Sequence, residues 1–147
     1  VQYKEEFSRL NQAWIQKYFK IEPKDIEQLS NPEKIVEQGG QVFFILQDSE
    51  VLATCALIKI NPGTYELAKM AVAESHLGQS LGNQLMQKAL SWAESQKAQK
   101  IIIRSNTRLI PALSLYKKFG FKTTRLGPNA DYERCDIEMS YDFGDRS

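Results

Sequence analysis

Residues 64–104 read "TYELAKMAVAESHLGQSLGNQLMQKALSWAESQKAQKIIIR", and the order of patterns in this stretch decides the fold. "TYELAKMAV" (64–72) is an apolar-rich run that predicts a strand. From Leu81 onward Leu85, Met86, Ala89, Leu90 and Ala93 recur at helical spacing, which predicts a helix of about four turns. "KIIIR" (100–104) is a short β-branched run of the kind that forms a buried strand. Strand, helix, strand is a βαβ unit, so the two strands should lie parallel in one sheet.

The flanks extend this unit in both directions. Upstream, "QVFFIL" (41–46) and "VLATCALIKI" (51–60) read as two further strands, with turn chemistry at "QDSE" and "NPG". With residues 64–72 they make an antiparallel meander. Phe7, Leu10, Asn11, Trp14, Ile15 and Tyr18 predict an amphipathic helix that ends before Pro23. A short second helix should follow "SNP", capped by Ser30 or Asn31 with Pro32 in its first turn, and stop at Gly39–Gly40. Downstream, a helix runs from near Pro111 through Phe119 and stops at Gly120. Two strands close the chain, Phe121–Leu126 and Tyr132–Tyr141. A first strand in or before residues 1–3 stays open. The class is α/β (α+β), with a mixed central sheet and about four flanking helices, and 1–147 is expected to be a single domain.

Bulk properties exclude several function classes. The formal net charge is +1 with no basic stripe, so nucleic acid is not the expected partner. No apolar run approaches the roughly 20 residues of a membrane span, and the polar opening "VQYKEEFSRL" does not read as a signal peptide. The two cysteines, Cys55 and Cys135, lie far apart in apolar-alternating segments and read as buried free thiols, in keeping with a cytoplasmic location. A lone histidine, His76, excludes a His-based metal cluster, and no metal is expected.

The loop between residues 72 and 81 carries Gly78 and Gly82 with Ser80 between them. A helix N-terminus presents unpaired N–H groups and a positive dipole end, so this is either an anion cradle or an ordinary strand-to-helix turn. The nucleotide P-loop is excluded, because no Lys-Ser or Lys-Thr follows the glycines.

Taken together, "YELAKMAVAESHLGQSLGNQLMQKAL" (65–90), "SNT" (105–107) and "ALSLYKKFGF" (112–121) resemble the GNAT superfamily of acyl-CoA-dependent N-acetyltransferases. The resemblance is carried by the Gln/Arg-x-x-Gly-x-Gly/Ala motif, here with Leu77, Ser80 and Gly82 in the named positions, and by Leu115, Tyr116, Gly120 and Phe121. It implies a GNAT fold of six to seven strands, splayed between its fourth and fifth strands, that is between "TYELAKMAV" and "KIIIR". It also implies acetyl-CoA as co-substrate. The backbone of Leu77, Gly78, Gln79, Ser80, Leu81 and Gly82 would hold the pyrophosphate. Met70, Ala71 and Val72 would pair with the pantetheine arm, and the Met70 N–H would polarise the thioester carbonyl. Asn106 would hydrogen-bond the arm, and Tyr116 would touch the cofactor and act as general acid. Glu66 matches a glutamate that serves some members as base, directly or through water. Its spacing of four from Met70 predicts that both face the same side of the strand.

The implied reaction is direct attack of a primary amine on the thioester, with a small-molecule or peptide amine as acceptor; members of the superfamily often form homodimers, but no interface can be read from this sequence. Glu133 and Asp136, with Tyr132, are expected to shape the acceptor pocket, and His76 to be a surface residue. The competing class is a non-catalytic acyl-CoA sensor of the same fold. Tyr116 favours the enzyme, since a sensor needs no acid.

Overall fold

The computed structural model describes residues 3–76, 80–128 and 133–144. Three helices come first: α1 (Lys4–Tyr18), α2 (Pro23–Ser30) and α3 (Pro32–Glu37). Strands β1 (Gln41–Gln47), β2 (Glu50–Asn61) and β3 (Thr64–Val72) follow as the expected antiparallel meander. After a 3-10 turn at Glu74–His76 come α4 (Leu81–Ser95), β4 (Lys100–Ser105), α5 (Ile110–Lys118), β5 (Lys122–Leu126) and β6 (Ile137–Asp142). The sheet has six strands in the order β1-β2-β3-β4-β6-β5, and β3–α4–β4 is the parallel unit that the sequence predicts.

Two differences concern the helices and the last strand. The segment before "SNP" forms its own helix, α2, so five α-helices rather than about four flank the sheet among the described residues. The first helix ends before Pro23, as expected, and Pro23 itself begins α2 at the first helical position, where its missing N–H is no loss. Glu22 and Asp25 close a capping box around that start. Asn31 is the N-cap of α3 but makes no side-chain cap bond, and Ser30 Oγ donates to the Ile26 carbonyl instead. The closing strand starts at Ile137 rather than Tyr132, which lies outside the described residues.

The sheet is covered on both faces. Leu85, Met86, Ala89 and Ala93 of α4 and Leu113 of α5 pack on Leu57, Leu67, Ile101, Ile103 and Met139. The opposite face carries Phe7 and Ile15 of α1, Leu29 of α2 and Ile35 of α3 against Ala56. Gly120 has φ +103 and ends α5 with the N–H of Phe121 bonded to the Tyr116 carbonyl at 3.0 Å, a closure that orients the helix carrying Tyr116.

Two irregularities in β3 position the site. First, β3 and β4 pair only over Thr64–Lys100, Tyr65–Ile101 and Glu66–Ile102, and beyond Glu66 the two parallel strands part. This is the splay implied by the resemblance. Second, β3 carries a bulge: Ala68 pairs with Ala56 and Ala71 with Thr54, so Lys69 and Met70 together face the single residue Cys55. Lys69 takes φ +57. The extra residue shifts the alternation by one, so Met70 and Val72 pack with Tyr65 and Leu67 against the α4 layer, while Ala71 packs under Leu10 of α1. The expectation that Glu66 and Met70 share a face is therefore wrong. A period of two holds only while no bulge intervenes, and nothing apolar in "ELAKM" announces one.

Candidate active site

A cavity opens at the fork between β3 and β4. Trp14, Ile15 and Phe19 from α1 and its C-terminal end form one wall. Residues Glu66–Met70 of β3 and Ile103–Asn106 at the end of β4 form the sides, with Leu109, Tyr116, Arg134 and Cys135 completing it. Four residues singled out from the sequence thus converge on one space: Glu66, Met70, Asn106 and Tyr116. Ala71 and Val72 are absent from its lining and pack on opposite faces of β3. Leu77, Gly78 and Gln79 lie outside the described residues.

Tyr116 is held by the C-terminal half of α5, with its ring centroid 6.2 Å from that of Phe121. Among the described residues no hydrogen-bond partner engages its hydroxyl. Burial, with a contribution from nearby Cys55, pushes its pKa up to about 12. Burial acts on the neighbouring thiols in the same way. Cys135, on the cavity wall, is pushed up to about 11, with Arg134 pulling against the shift, and fully buried Cys55 is raised as well. Both cysteines are free and buried, as expected.

Glu66 is buried, and its Oε1 accepts from Arg104 Nη2 at 3.1 Å. Residues 66 and 104 come from the two strands that diverge, so this ion pair spans the fork on its α1 side. Asn106 is committed largely to the protein. Its Nδ2 donates to the Arg134 carbonyl at 2.6 Å, and its Oδ1 accepts the Arg108 N–H at 2.9 Å.

Behind the cavity lies a charge cluster that sequence reading missed. Asp25 is fully buried. It receives Arg134 Nη2 at 2.6 Å, Arg134 Nη1 at 2.7 Å, Lys69 Nζ at 2.9 Å and the Glu22 N–H at 2.9 Å. Glu22 accepts from Arg134 as well, at 3.2 Å. Burial alone would raise Asp25, but the Arg134 hydrogen bonds, the Glu22 N–H and the Lys69 charge outweigh it and bring the carboxyl to about 2. Burial lowers Lys69 against the pull of Asp25, because it shares that one carboxylate with Arg134. The cluster ties α2 and the segment before β6 to the bulge at Lys69. A lysine inside the apolar run "LAKMA" was its one visible sign, since a buried ammonium needs a partner.

The start of α4 is the second part of the site. Ser80 is its N-cap, with φ 61, and makes no side-chain cap bond. That left-handed geometry is the one glycine adopts without strain, which gives a physical reason for the glycine of the resembling motif at this position. A Cβ on Gly82 would meet Leu115 Cδ2 at 3.2 Å, so the missing side chain lets α4 and α5 approach closely. His76 is half-buried in the 3-10 turn, where its Nδ1 lies 2.8 Å from Ser75 Oγ, away from the cavity. The side chain of Asp136 holds the Thr107 N–H and hydroxyl, both at 2.8 Å, and the N–H of exposed Glu133 donates to Glu22 at 2.9 Å. Neither lines the cavity. Among the described residues there is no metal-capable cluster of His, Cys, Asp and Glu, and no helix long and apolar enough to cross a membrane.

Comparison with known proteins gives one consistent family. The profile of the Acetyltransferase (GNAT) family matches residues 5–121. Two uncharacterised N-acetyltransferases of Bacillus subtilis align with the chain: YobR at 27% identity over 74% of this chain and 45% of its own length, and YvbK at 32% over 67% and 66%. The chain thus spans less than half of the first and about two-thirds of the second. Among solved structures, a GNAT-family acetyltransferase from Staphylococcus aureus superposes with a TM-score of 0.86 at 22% identity, covering 97% of this chain and 94% of that one. An aminoglycoside 6'-N-acetyltransferase complexed with coenzyme A has a TM-score of 0.76 at 17% identity, covering 98% and 92%.

Proposed function

The chain belongs to the GNAT acetyltransferase family, and on that premise we propose that it moves an acetyl group from acetyl-CoA to a primary amine, with all 147 residues acting as one domain. The observation that carries this reading is the fork: parallel strands that part after Glu66, with Met70 and Tyr116 on the cavity so opened. The fork suits acetyl-CoA. Beyond Glu66 the β4-side edge of β3 has no strand partner among the described residues, so an extended arm can pair with it. The uncapped N-terminus of α4 offers the N–H groups of its first turn to a pyrophosphate. In this reading residues 77–82 hold the phosphates and Met70–Val72 lie beside the arm.

Bound acetyl-CoA supplies an acetyl group already activated as a thioester. The protein's part is positioning and proton handling. The bulge leaves Met70 without a register partner on β2, and in this reading its N–H faces a carbonyl oxygen as negative charge develops there. Glu66 takes the proton of the incoming ammonium, directly or through a water, and Arg104 fixes the carboxylate at the fork. Asn106 retains one amide N–H for the arm while its other groups brace the loop.

Tyr116 holds the proton for the departing sulfur. In water a phenol near 10 is a weaker acid than a thiol near 8.5, so transfer would be uphill by about 1.5 units. Burial raises both acids, the Tyr116 phenol to about 12 and the wall thiol of Cys135 to about 11, so the cavity keeps the phenol protonated and makes a departing thiolate more basic than it is in water.

Thermal unfolding with and without acetyl-CoA tests the binding half of the reading. At one hundred times its dissociation constant the ligand should stabilise the fold by about 2.7 kcal/mol, or roughly 5–10 °C. No shift at millimolar acetyl-CoA rejects the reading. A shift without thiol release from any amine leaves an acyl-CoA sensor instead.

A further inference from the structure

Building on the transferase reading above, we propose that the acceptor is a monoamine with an aromatic or other flat apolar body, seated against Trp14 and Phe19, and not a polyamine or an aminoglycoside. The wall of the cavity opposite the strands is aromatic. The ring centroids of Trp14 and Phe19 lie 6.0 Å apart, and both residues are half-buried, so each packs on the protein with one part and leaves another accessible. Outside the cavity lining, the Arg108 guanidinium sits 4.8 Å from the Phe19 ring centroid and extends the same surface. A flat apolar body gains from covering such rings, and a hydrated polycation does not.

The charges agree with this. Among the described residues that line the cavity, Glu66 is the one acid, beside the cations Lys69, Arg104 and Arg134. The carboxylates around it already have cationic partners: Glu66 has Arg104, and Asp25 and Glu22 have Arg134, with Lys69 also on Asp25. Each additional ammonium brought into this space would lose its hydration and meet a carboxylate already engaged by a cation. A monoamine brings one ammonium, which shares Glu66 with Arg104, whereas the further ammonium groups of a polycation find no second acid on the lining among the described residues. Arg108, stacked on Phe19, adds a further positive charge next to this wall.

The test is kcat/KM at saturating acetyl-CoA for 2-phenylethylamine, tryptamine, hexylamine, spermidine and kanamycin, read as thiol release. The aromatic amines should exceed spermidine and kanamycin by about tenfold or more. Trp14→Ala and Phe19→Ala should each lower kcat/KM for 2-phenylethylamine by about tenfold, through KM, while the acetyl-CoA dissociation constant measured by calorimetry stays unchanged. Trp14→Leu serves as the second variant if Trp14→Ala does not fold, recognised by loss of acetyl-CoA binding. Preference for spermidine or kanamycin overturns the acceptor class alone, as does an unchanged KM in all folded variants. Acetyl-CoA binding with no release from any amine overturns the class together with the transfer step, and absence of acetyl-CoA binding overturns the reading on which it rests.

Discussion

Replacing Tyr116 with phenylalanine separates chemistry from binding more sharply than any other substitution in the cavity. The change removes one oxygen and nothing else. The ring keeps its place beside Phe121, and among the described residues no donor or acceptor is orphaned, because the hydroxyl has no protein partner. Stability should therefore change by less than about 0.5 kcal/mol. Acetyl-CoA affinity should stay within about twofold, since in the proposed mode binding rests on backbone groups of β3 and α4. Turnover should fall by about 100-fold or more, the usual range for a positioned general acid. The pH dependence adds a second check. With its pKa pushed to about 12, Tyr116 stays protonated throughout any practical assay. Any alkaline decline of kcat in the wild type must then come from another group and should persist in the variant. The assay is stopped-flow thiol release at saturating acetyl-CoA, with affinity measured in parallel by calorimetry. A kcat within about threefold of the wild type, with normal binding, would falsify the acid role and leave Tyr116 as packing.

Three further outcomes follow from the same geometry. Glu66→Gln should slow turnover by about 100-fold and remove the acid limb of the pH–rate profile, and a profile that matches the wild type means that Glu66 is not the base. Asp25→Asn should destabilise the fold by about 3 kcal/mol at neutral pH, because Lys69 and Arg134 lose their shared carboxylate. In the wild type the folded carboxyl lies below its usual value, so its contribution is full above pH 4 and is lost as pH falls toward 2; the drop from 3.8 to about 2 corresponds to about 2 kcal/mol. Denaturant titrations across that range should show this loss in the wild type and not in the variant. Ser80→Gly should raise stability by about 1 kcal/mol, since it relieves a left-handed serine whose hydroxyl makes no cap bond, and a lower denaturation midpoint would count against strain there.

The periodicity of residues 64–104 was enough to establish the βαβ unit and the meander before it. Apolar spacing is set by the geometry of helix and strand, and that geometry is local. The ends of elements were less legible where one residue type carries two meanings. Pro23 stops a helix or starts one, and the choice fell to the Glu22–Asp25 box and to the burial of Leu29 against α1 and α3. Candidate residues chosen by motif, Glu66, Met70, Asn106 and Tyr116, do gather in one cavity. Those contributed by packing alone, Trp14, Phe19, Arg104 and Arg134, carried no local mark of a site.

The amino-acid sequence by itself determined the family, the order of elements and which strand and helix frame the fork, because these follow from short-range patterns of apolar residues and glycines. Only the tertiary structure decided how the site is built. The bulge at Lys69 is stabilised by Asp25, 44 residues earlier in the chain. It turns Met70 to the face opposite Glu66, and no period-two reading of the strand can foresee a register change held by a distant charge. The ion pair across the fork and the aromatic wall of α1 have the same origin. They depend on which faces meet when the sheet splays, and that is a property of the packed molecule, not of any segment in it.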